Sequence, residues 1–263
     1  MDLQATGKRA FVSGSTQGIG YAIAEALLGE GVDVVINGRT EARVREAVAR
    51  LRLGHPEAVV SGLAADFADP SQVQAILGAL GDVDILVNNV GLFEVTPFDA
   101  IVDDDWQRYL EVNLMSAVRL SRHVLPGMLN RGWGRVIMVA SESGVNVPAD
   151  MVHYGVTKAG LIALGNGLAK LTRGTEVTVN TILGGPTYSD GVAAAVEQIA
   201  TAQGMAADDL KGAIAAGNQT SLVQRFLEPG EIANLALYLA SPRSSATNGA
   251  ALRADGGVLT TMF

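Results

Sequence analysis

Tyr154 and Lys158 are the side chains most suggestive of chemistry, because they lie four residues apart in a segment with helical periodicity. At that spacing both project from one face of a helix. A free phenol, with a pKa of about 10, is a poor proton donor at neutral pH, and a neighbouring ammonium favours its ionised form. At ~4 Å and an effective dielectric near 20, that charge contributes about 4 kcal/mol, or roughly three pKa units. The pair could therefore exchange a proton with a carbonyl oxygen. Alternatively, the lysine stem packs against a partly buried ring.

Ser141 is the hydroxyl best placed to act with this pair. It follows the apolar run 135–140 and precedes Tyr154 by thirteen residues. A hydroxyl there could hold a substrate oxygen in position for proton transfer. Ser143 is a nearby alternative, and Ser141 could instead satisfy the backbone at a strand end.

A glycine-rich turn, with Gly14, Gly18 and Gly20, separates the first predicted strand from the helix that follows it. Glycine lets backbone N–H groups approach a ligand closely, and the positive end of the helix favours a pyrophosphate. The spacing alone is weak evidence in a chain with 31 glycines, but its place in the first βαβ unit supports a dinucleotide site. The contacts predicted from this turn are Gly14, Ser15, Thr16, Gly18, Ile19 and Gly20.

Arg39 follows the second predicted strand, where an acidic residue would bind the ribose 2′-hydroxyl of NAD. No acid is present at this corner, and the guanidinium is available for the 2′-phosphate of NADP. The sequence therefore favours NADP(H) over NAD(H) as cofactor. A solvated arginine at a helix start is the alternative.

The elements that would position these residues alternate between short apolar strands and longer helical segments. Near-continuous apolar strands indicate burial on both faces, and strict alternation indicates right-handed crossovers. We predict an α/β fold, a single doubly wound parallel sheet of about seven strands with helices on both faces (Rossmann-type), in one domain over 1–263. The predicted strands are 9–13, 32–37, 58–63, 85–88, 135–140, 177–183 and 250–254, and the predicted helices are 19–30, 41–52, 70–80, 104–130, 152–173 and 229–240.

The segment at about 187–225 departs from this alternation and is rich in alanine and glycine. We predict a substrate lid here, over the carboxyl end of the sheet, where open α/β folds bind ligands. Two ordinary surface helices are the alternative.

Composition excludes several classes of protein. Lys and Arg number 19 against 27 Asp and Glu, and a net charge of −8 argues against binding to nucleic acid or anionic membranes. Cysteine is absent and no His or carboxylate cluster has ligand spacing, so we predict no metal site. No apolar run approaches the ~20 residues that span a bilayer, and the N-terminus lacks a signal-peptide core. We therefore expect a soluble, cytoplasmic protein.

Four motifs in order resemble the short-chain dehydrogenase/reductase family, over essentially the whole chain. They are the glycine-rich turn, Asn88-Asn89-Val90-Gly91 after the fourth strand, Ser141 after the fifth, and Tyr154-x3-Lys158. The resemblance implies a catalytic set of Asn113, Ser141, Tyr154 and Lys158. Tyr154 would be the general acid/base, with Lys158 tuning it and binding the nicotinamide ribose. Asn113 would position a water in a proton relay.

The same resemblance implies further cofactor contacts. Asp66 and Phe67 would flank the adenine, and Asn89 and Gly91 would lie along the cofactor after the fourth strand. Thr187 would contact the nicotinamide carboxamide. Tyr154 and Lys158 would face the nicotinamide end.

We predict an NADP(H)-dependent oxidoreductase that moves a hydride between nicotinamide and a small-molecule ketone or secondary alcohol. Similarity to the 3-oxoacyl-[acyl-carrier-protein] reductases makes a carrier-bound 3-oxoacyl thioester one candidate substrate. A basic patch for the acidic carrier would then draw on Arg119, Arg122, Arg131 and Arg135. The alternatives are an NAD-dependent sugar, steroid or small-alcohol dehydrogenase, and an NADP(H)-binding sensor or scaffold without turnover. The resemblance further implies a homotetramer.

Overall fold

The computed structural model describes residues 2–262, and over them seven strands form one parallel sheet in the order β3-β2-β1-β4-β5-β6-β7. The predicted α/β fold, a doubly wound parallel sheet with helices on both faces, is confirmed. The strands are β1 (Arg9–Val12), β2 (Asp33–Gly38), β3 (Val60–Ala64), β4 (Ile85–Asn88), β5 (Trp133–Val139), β6 (Glu176–Gly184) and β7 (Ala251–Ala254).

Helices cover both faces of the sheet. Residues of α1, α2 and α9 pack in one hydrophobic core, and residues of α3, α5 and α6 pack in the other. The helices of the described chain are α1 (Gly18–Gly29), α2 (Glu41–Gly54), α3 (Pro70–Leu80), α4 (Asp103–Tyr109), α5 (Ser116–Arg131), α6 (Val152–Ala169), α7 (Asp190–Gln203), α8 (Ala207–Gly217) and α9 (Pro229–Ala240).

Strand β1 shows why the central strands are apolar throughout. Ala10 and Val12 lie in the core beneath α1 and α9, whereas Phe11 lies in the opposite core with α3 and α5. Successive side chains of a strand point to opposite faces, so a strand covered on both sides needs apolar residues at every position.

The strand order reverses at β1, which pairs with β2 on one side and with β4 on the other. The connections that leave β1 and β4 therefore diverge and leave a crevice at the carboxyl end of the sheet. The glycine-rich turn and the loop after β4 lie along this crevice.

The helix predicted over 104–130 is interrupted. A π-helical turn, Leu110–Met115, separates α4 from α5, and the backbone N–H of Ser116 bonds to the carbonyl of Glu111, five residues earlier. Such turns insert one extra residue per turn and are frequent at functional sites. Asn113 lies within this one.

The segment predicted as a lid contains α7 and α8. Val196 and Ala200 of α7 are buried, whereas none of the residues of α8 is. Thr187 joins the start of the segment to Leu227 by an isolated parallel bridge. Among the described residues, no helix is both long and apolar enough to cross a membrane.

Candidate active site

A cleft of about 500 Å³ runs along the carboxyl end of the sheet. Arg39 and Arg43 lie along it, beside the end of β2, and Tyr154 and Lys158 line it from α6. Because the two groups come from elements on either side of β1, the fold brings Arg39 and the pair Tyr154 and Lys158 into one groove, which Ser141 and Asn113 do not line.

The glycine-rich turn forms one wall of the cleft, and its geometry requires glycine. Gly14 and Gly18 each have φ of +61°, which L side chains rarely adopt. A Cβ on Gly20 would lie 2.4 Å from Asn89 Nδ2 and 2.5 Å from the carbonyl oxygen of Gly14. The backbone of this turn can therefore approach a bound phosphate closely.

Helix α1 begins at Gly18, and no side chain of its own caps this start. The residue before it, Gln17, makes no side-chain capping hydrogen bond, and the first turn has no acidic residue. The N–H groups of this helix start and the helix dipole suit a pyrophosphate. The predicted contacts Thr16, Gly18, Ile19 and Gly20 all line the cleft.

Two of the predicted contacts instead hold the turn in shape. Ser15 is fully buried, and its hydroxyl donates to the Val12 carbonyl at 2.6 Å and accepts from the Asn37 amide at 2.9 Å. Asn89 lines the cleft, but its Nδ2 donates to the carbonyls of Ser13 and Gly14 at 3.0 and 2.9 Å. The Ser15 side chain does not line the cleft, and Asn89 joins the loop after β4 to the turn after β1.

The end of the cleft beside β2 and β3 carries a second cation that sequence reasoning missed. Arg43 lies in the first turn of α2 and lines the cleft together with Arg39. The four-residue spacing of the two arginines, across a helix start capped by Thr40, could have revealed it. Asp66 and Phe67, predicted to flank the adenine, line the same cleft, and Phe67 is also part of the core.

Asn113 is buried, and both the oxygen and the nitrogen of its side-chain amide form hydrogen bonds. Its Oδ1 accepts from the Leu92 amide at 2.7 Å, and its Nδ2 donates to the Leu92 carbonyl and to Thr157 Oγ1, each at 3.0 Å. The side chain thus connects the loop after β4 to α6, one residue before Lys158. This arrangement positions the residues around it.

Lys158 is buried, and its Nζ donates to the Val139 carbonyl at the end of β5 at 2.9 Å. The Nζ lies 5.6 Å from the centre of the Tyr154 ring. Burial lowers the pKa of Lys158 to about 8, because no carboxylate of the described chain forms an ion pair with it. A Cβ on Gly91, which also lines the cleft, would lie 3.4 Å from this Nζ.

Burial raises the pKa of Tyr154 to about 12, while its hydrogen bond with Ser141 acts in the opposite direction and the charge of Glu142 adds to the increase. The sequence-based expectation was a pKa lowered by Lys158. In this structure desolvation dominates instead, and the amine donates to a backbone carbonyl. The phenol is therefore protonated at neutral pH.

Glu142 is a residue of the site that sequence reasoning missed, although it lies between the two candidate serines. Its Oε2 accepts hydrogen bonds from Ser141 Oγ and from both the amide and the hydroxyl of Ser143, the last at 2.8 Å. Ser141 Oγ also accepts from the Ser143 amide at 3.1 Å. Both serines are therefore tied to one carboxylate.

The predicted lid meets the cleft at its first residues. Ser189 and Gly191 line the cleft, and Asp190 Oδ2 accepts a hydrogen bond of 2.6 Å from the Gly18 amide. Thr187 lies outside the cleft lining, and its hydroxyl donates to the Gly185 carbonyl at 2.9 Å.

His153, which precedes Tyr154 in α6, is buried inside the chain. Its ring lies 3.9 Å from that of Tyr109, and Trp106 approaches it edge-on at 6.2 Å. Within residues 2–262, no cluster of three His, Asp or Glu side chains could hold a metal ion.

Comparisons with known proteins show which family this chain resembles. The sequence model of the short chain dehydrogenase family matches residues 8–200. The oxidoreductase YvrD of Bacillus subtilis is 43% identical over the full length of both chains. The 3-oxoacyl-[acyl-carrier-protein] reductase of Vibrio cholerae is 33% identical, covering 96% of this chain and 97% of that protein. The structure of L-sorbose reductase from Gluconobacter frateurii, complexed with NADPH and L-sorbose, covers all of both chains with a TM-score of 0.94 and 33% identity.

Proposed function

The chain belongs to the short-chain dehydrogenase/reductase family and is an NAD(P)-dependent oxidoreductase, and we propose that it uses NADP(H) to interconvert a small-molecule ketone and its secondary alcohol. The observation that carries this proposal is the single cleft that connects the Arg39 and Arg43 end with Tyr154 and Lys158. One end of that groove suits a phosphate and the other can supply a proton.

The residues of the cleft fit a phosphorylated dinucleotide. The glycine-rich turn and the uncapped start of α1 would hold the pyrophosphate. Arg39 and Arg43 would bind the 2′-phosphate, and the end of β2 carries no acid that would repel it. The NADPH in the similar L-sorbose reductase structure supports this preference. When bound, the cofactor supplies or accepts the hydride.

Four residues of the chain would carry out the proton chemistry. Tyr154 is a protonated phenol at neutral pH and is the proposed acid toward the carbonyl oxygen. Ser141, whose hydroxyl acts to lower the pKa of Tyr154, would hold that oxygen in place. Lys158, whose Nζ lies 5.6 Å from the centre of the phenol ring, would favour the phenolate that proton transfer leaves behind. Asn113 would keep α6 and the loop after β4 in register for this step.

The ion pairing and burial of the four arginines predicted to form a basic patch favour a free small molecule over a carrier-bound substrate. Arg119 pairs with Glu111, and Arg131 pairs with Asp82 at 2.8 Å. Arg135 is buried against backbone carbonyls. Only Arg122 of this set is left exposed without an ion pair among the described residues. Such a surface offers little to an acidic carrier.

We also propose that the chain is one domain with a lid at about 187–225, and that it assembles as a homotetramer. Two observations support the lid: Ser189 and Gly191 line the cleft, and Asp190 accepts a hydrogen bond from the glycine-rich turn. Light scattering of the purified protein measures the assembly, and a monomer would contradict it.

The proposed activity is tested with purified protein, NADPH and a panel of neutral ketones, with loss of NADPH absorbance as the readout. Tyr154→Phe removes only the hydroxyl, so we expect turnover to fall by about a hundredfold or more while NADPH binding is unchanged. A substantial residual rate would remove Tyr154 from the acid role. Tight NADPH binding without turnover of any carbonyl would instead favour a sensor or scaffold.

A further inference from the structure

Glu142 begins a short helical turn, Glu142–Gly144, in the loop after β5. Ser141 directly precedes this turn and caps it. Its carboxylate accepts the hydrogen bond from Ser141 Oγ and contributes to the electrostatic potential at Tyr154. A substrate oxygen held between Ser141 and Tyr154 would therefore lie close to the negatively charged carboxylate of Glu142.

This charge has no basic partner in the described part of the chain. None of the ion pairs formed within residues 2–262 includes Glu142. Arg108 of α4, which lines the cleft, is paired with Glu94 at 3.1 Å. Lys158 donates to the Val139 carbonyl. The carboxylate is compensated only by neutral donors.

The hydrogen bonds of Glu142 use one of its two oxygens. Oε2 accepts from Ser141 and from the amide and hydroxyl of Ser143, whereas no donor of residues 2–262 bonds to Oε1. An ionised carboxyl oxygen is an acceptor only. Oε1 can therefore accept a hydrogen bond from a hydroxyl group of the substrate, whereas it would repel a substrate carboxylate.

We propose that Glu142 determines substrate class: it selects neutral hydroxylated ketones and their alcohols, and it rejects substrates with a carboxylate beside the reacting carbonyl. This inference rests on the proposed oxidoreductase function. Two like charges about 6 Å apart at an effective dielectric near 20 change binding by roughly a hundredfold, and ionic screening at a partly exposed site reduces this to about tenfold.

The test compares two substrates that differ in charge at the same position, acetoacetate and its neutral ester ethyl acetoacetate. In the wild-type enzyme with NADPH, kcat/KM should favour the ester. Glu142→Gln keeps the shape and removes the charge, so we expect the acetoacetate-to-ester ratio to rise by about tenfold. Ser143→Ala is the matched control, because it breaks a contact of the same carboxylate and keeps the charge. Its ratio should stay at the wild-type value.

Binding provides a readout that does not need turnover. With saturating NADP⁺, each ketone forms a dead-end complex whose Kd calorimetry can measure. Glu142→Gln should tighten binding of acetoacetate by about tenfold and leave the ester unchanged. In the wild type, added salt should tighten acetoacetate alone, which tests the charge even if the variant fails to fold. An unchanged ratio in an active Glu142→Gln enzyme, or no salt effect, would overturn this inference alone. Absence of turnover with any ketone would count against the proposed function instead.

Discussion

Removing the carboxylate of Asp190 should tighten cofactor binding. Asp190 is the first residue of α7, and its Oδ2 accepts a hydrogen bond of 2.6 Å from the Gly18 amide, where α1 begins. Because α1 has no side-chain cap and no acid in its own first turn, the carboxylate supplies the anion that the helix start lacks. A pyrophosphate bound to the same amide would have to displace it.

The size of the effect follows from that one contact. A hydrogen bond to a charged group contributes about 1.5–3 kcal/mol, and the lower end applies because Asp190 is exposed. About 1.5 kcal/mol corresponds to roughly tenfold in Kd. We therefore expect Asp190→Ala to lower the Kd for NADPH by about tenfold, with a smaller decrease for Asp190→Asn, which retains an acceptor oxygen.

Calorimetric titration with NADPH measures this directly and does not depend on a known substrate. Asp208→Ala is the matched control, because it removes an exposed carboxylate from the first turn of α8 and changes the net charge equally. That variant should bind as the wild type does. If Asp190→Ala binds NADPH as weakly as the wild type, or more weakly, the carboxylate does not compete for the Gly18 amide.

Two further predictions concern the two ends of the cleft. Arg39→Asp should shift the binding preference from NADPH toward NADH. Arg43→Ala should weaken NADPH binding about tenfold, with little effect on NADH binding. If the ratio of the Kd for NADPH to the Kd for NADH is unchanged in both variants, these arginines do not recognise the 2′-phosphate. Folding lowers the pKa of Lys158 from 10.5 to about 8, so the unfolded chain binds more protons between those values. The free energy of unfolding of the wild type, relative to Lys158→Met, should therefore rise from pH 8 to 10, and a flat difference in denaturant titrations would contradict the buried ammonium.

The fold was predictable from the sequence because two-sided burial leaves a simple pattern. Helices cover both faces of every strand except the two edge strands. Apolar runs with glycine-rich ends in the sequence therefore predict these inner strands. The helix bounds agree within a few residues. The exception is 104–130, since a π-helical turn has no periodicity of its own. Asn113 within that turn makes tertiary bonds to Leu92 and Thr157.

The site was predictable where a residue type is required by backbone geometry or by spacing on one helix. Gly14 and Gly18 need positive φ, and Tyr154 and Lys158 share a face of α6. Contacts between distant segments leave no such mark. Nothing in the sequence connects Asp190 with Gly18, which lie 172 residues apart along the chain.

The residues that break local rules collect at the Tyr154 end of the cleft, and this clustering is itself an argument for function. Among the described residues, Lys158 is a buried cation without a carboxylate partner, and Glu142, which adjoins Ser141, is an anion without a cation partner. A stable core would pair or exclude such charges, because each costs desolvation energy. In the mechanism and the substrate selection proposed above, the cation would stabilise the phenolate and the anion would act on the substrate. Local inconsistency of this kind is expected where a sequence has been shaped by chemistry as well as by folding.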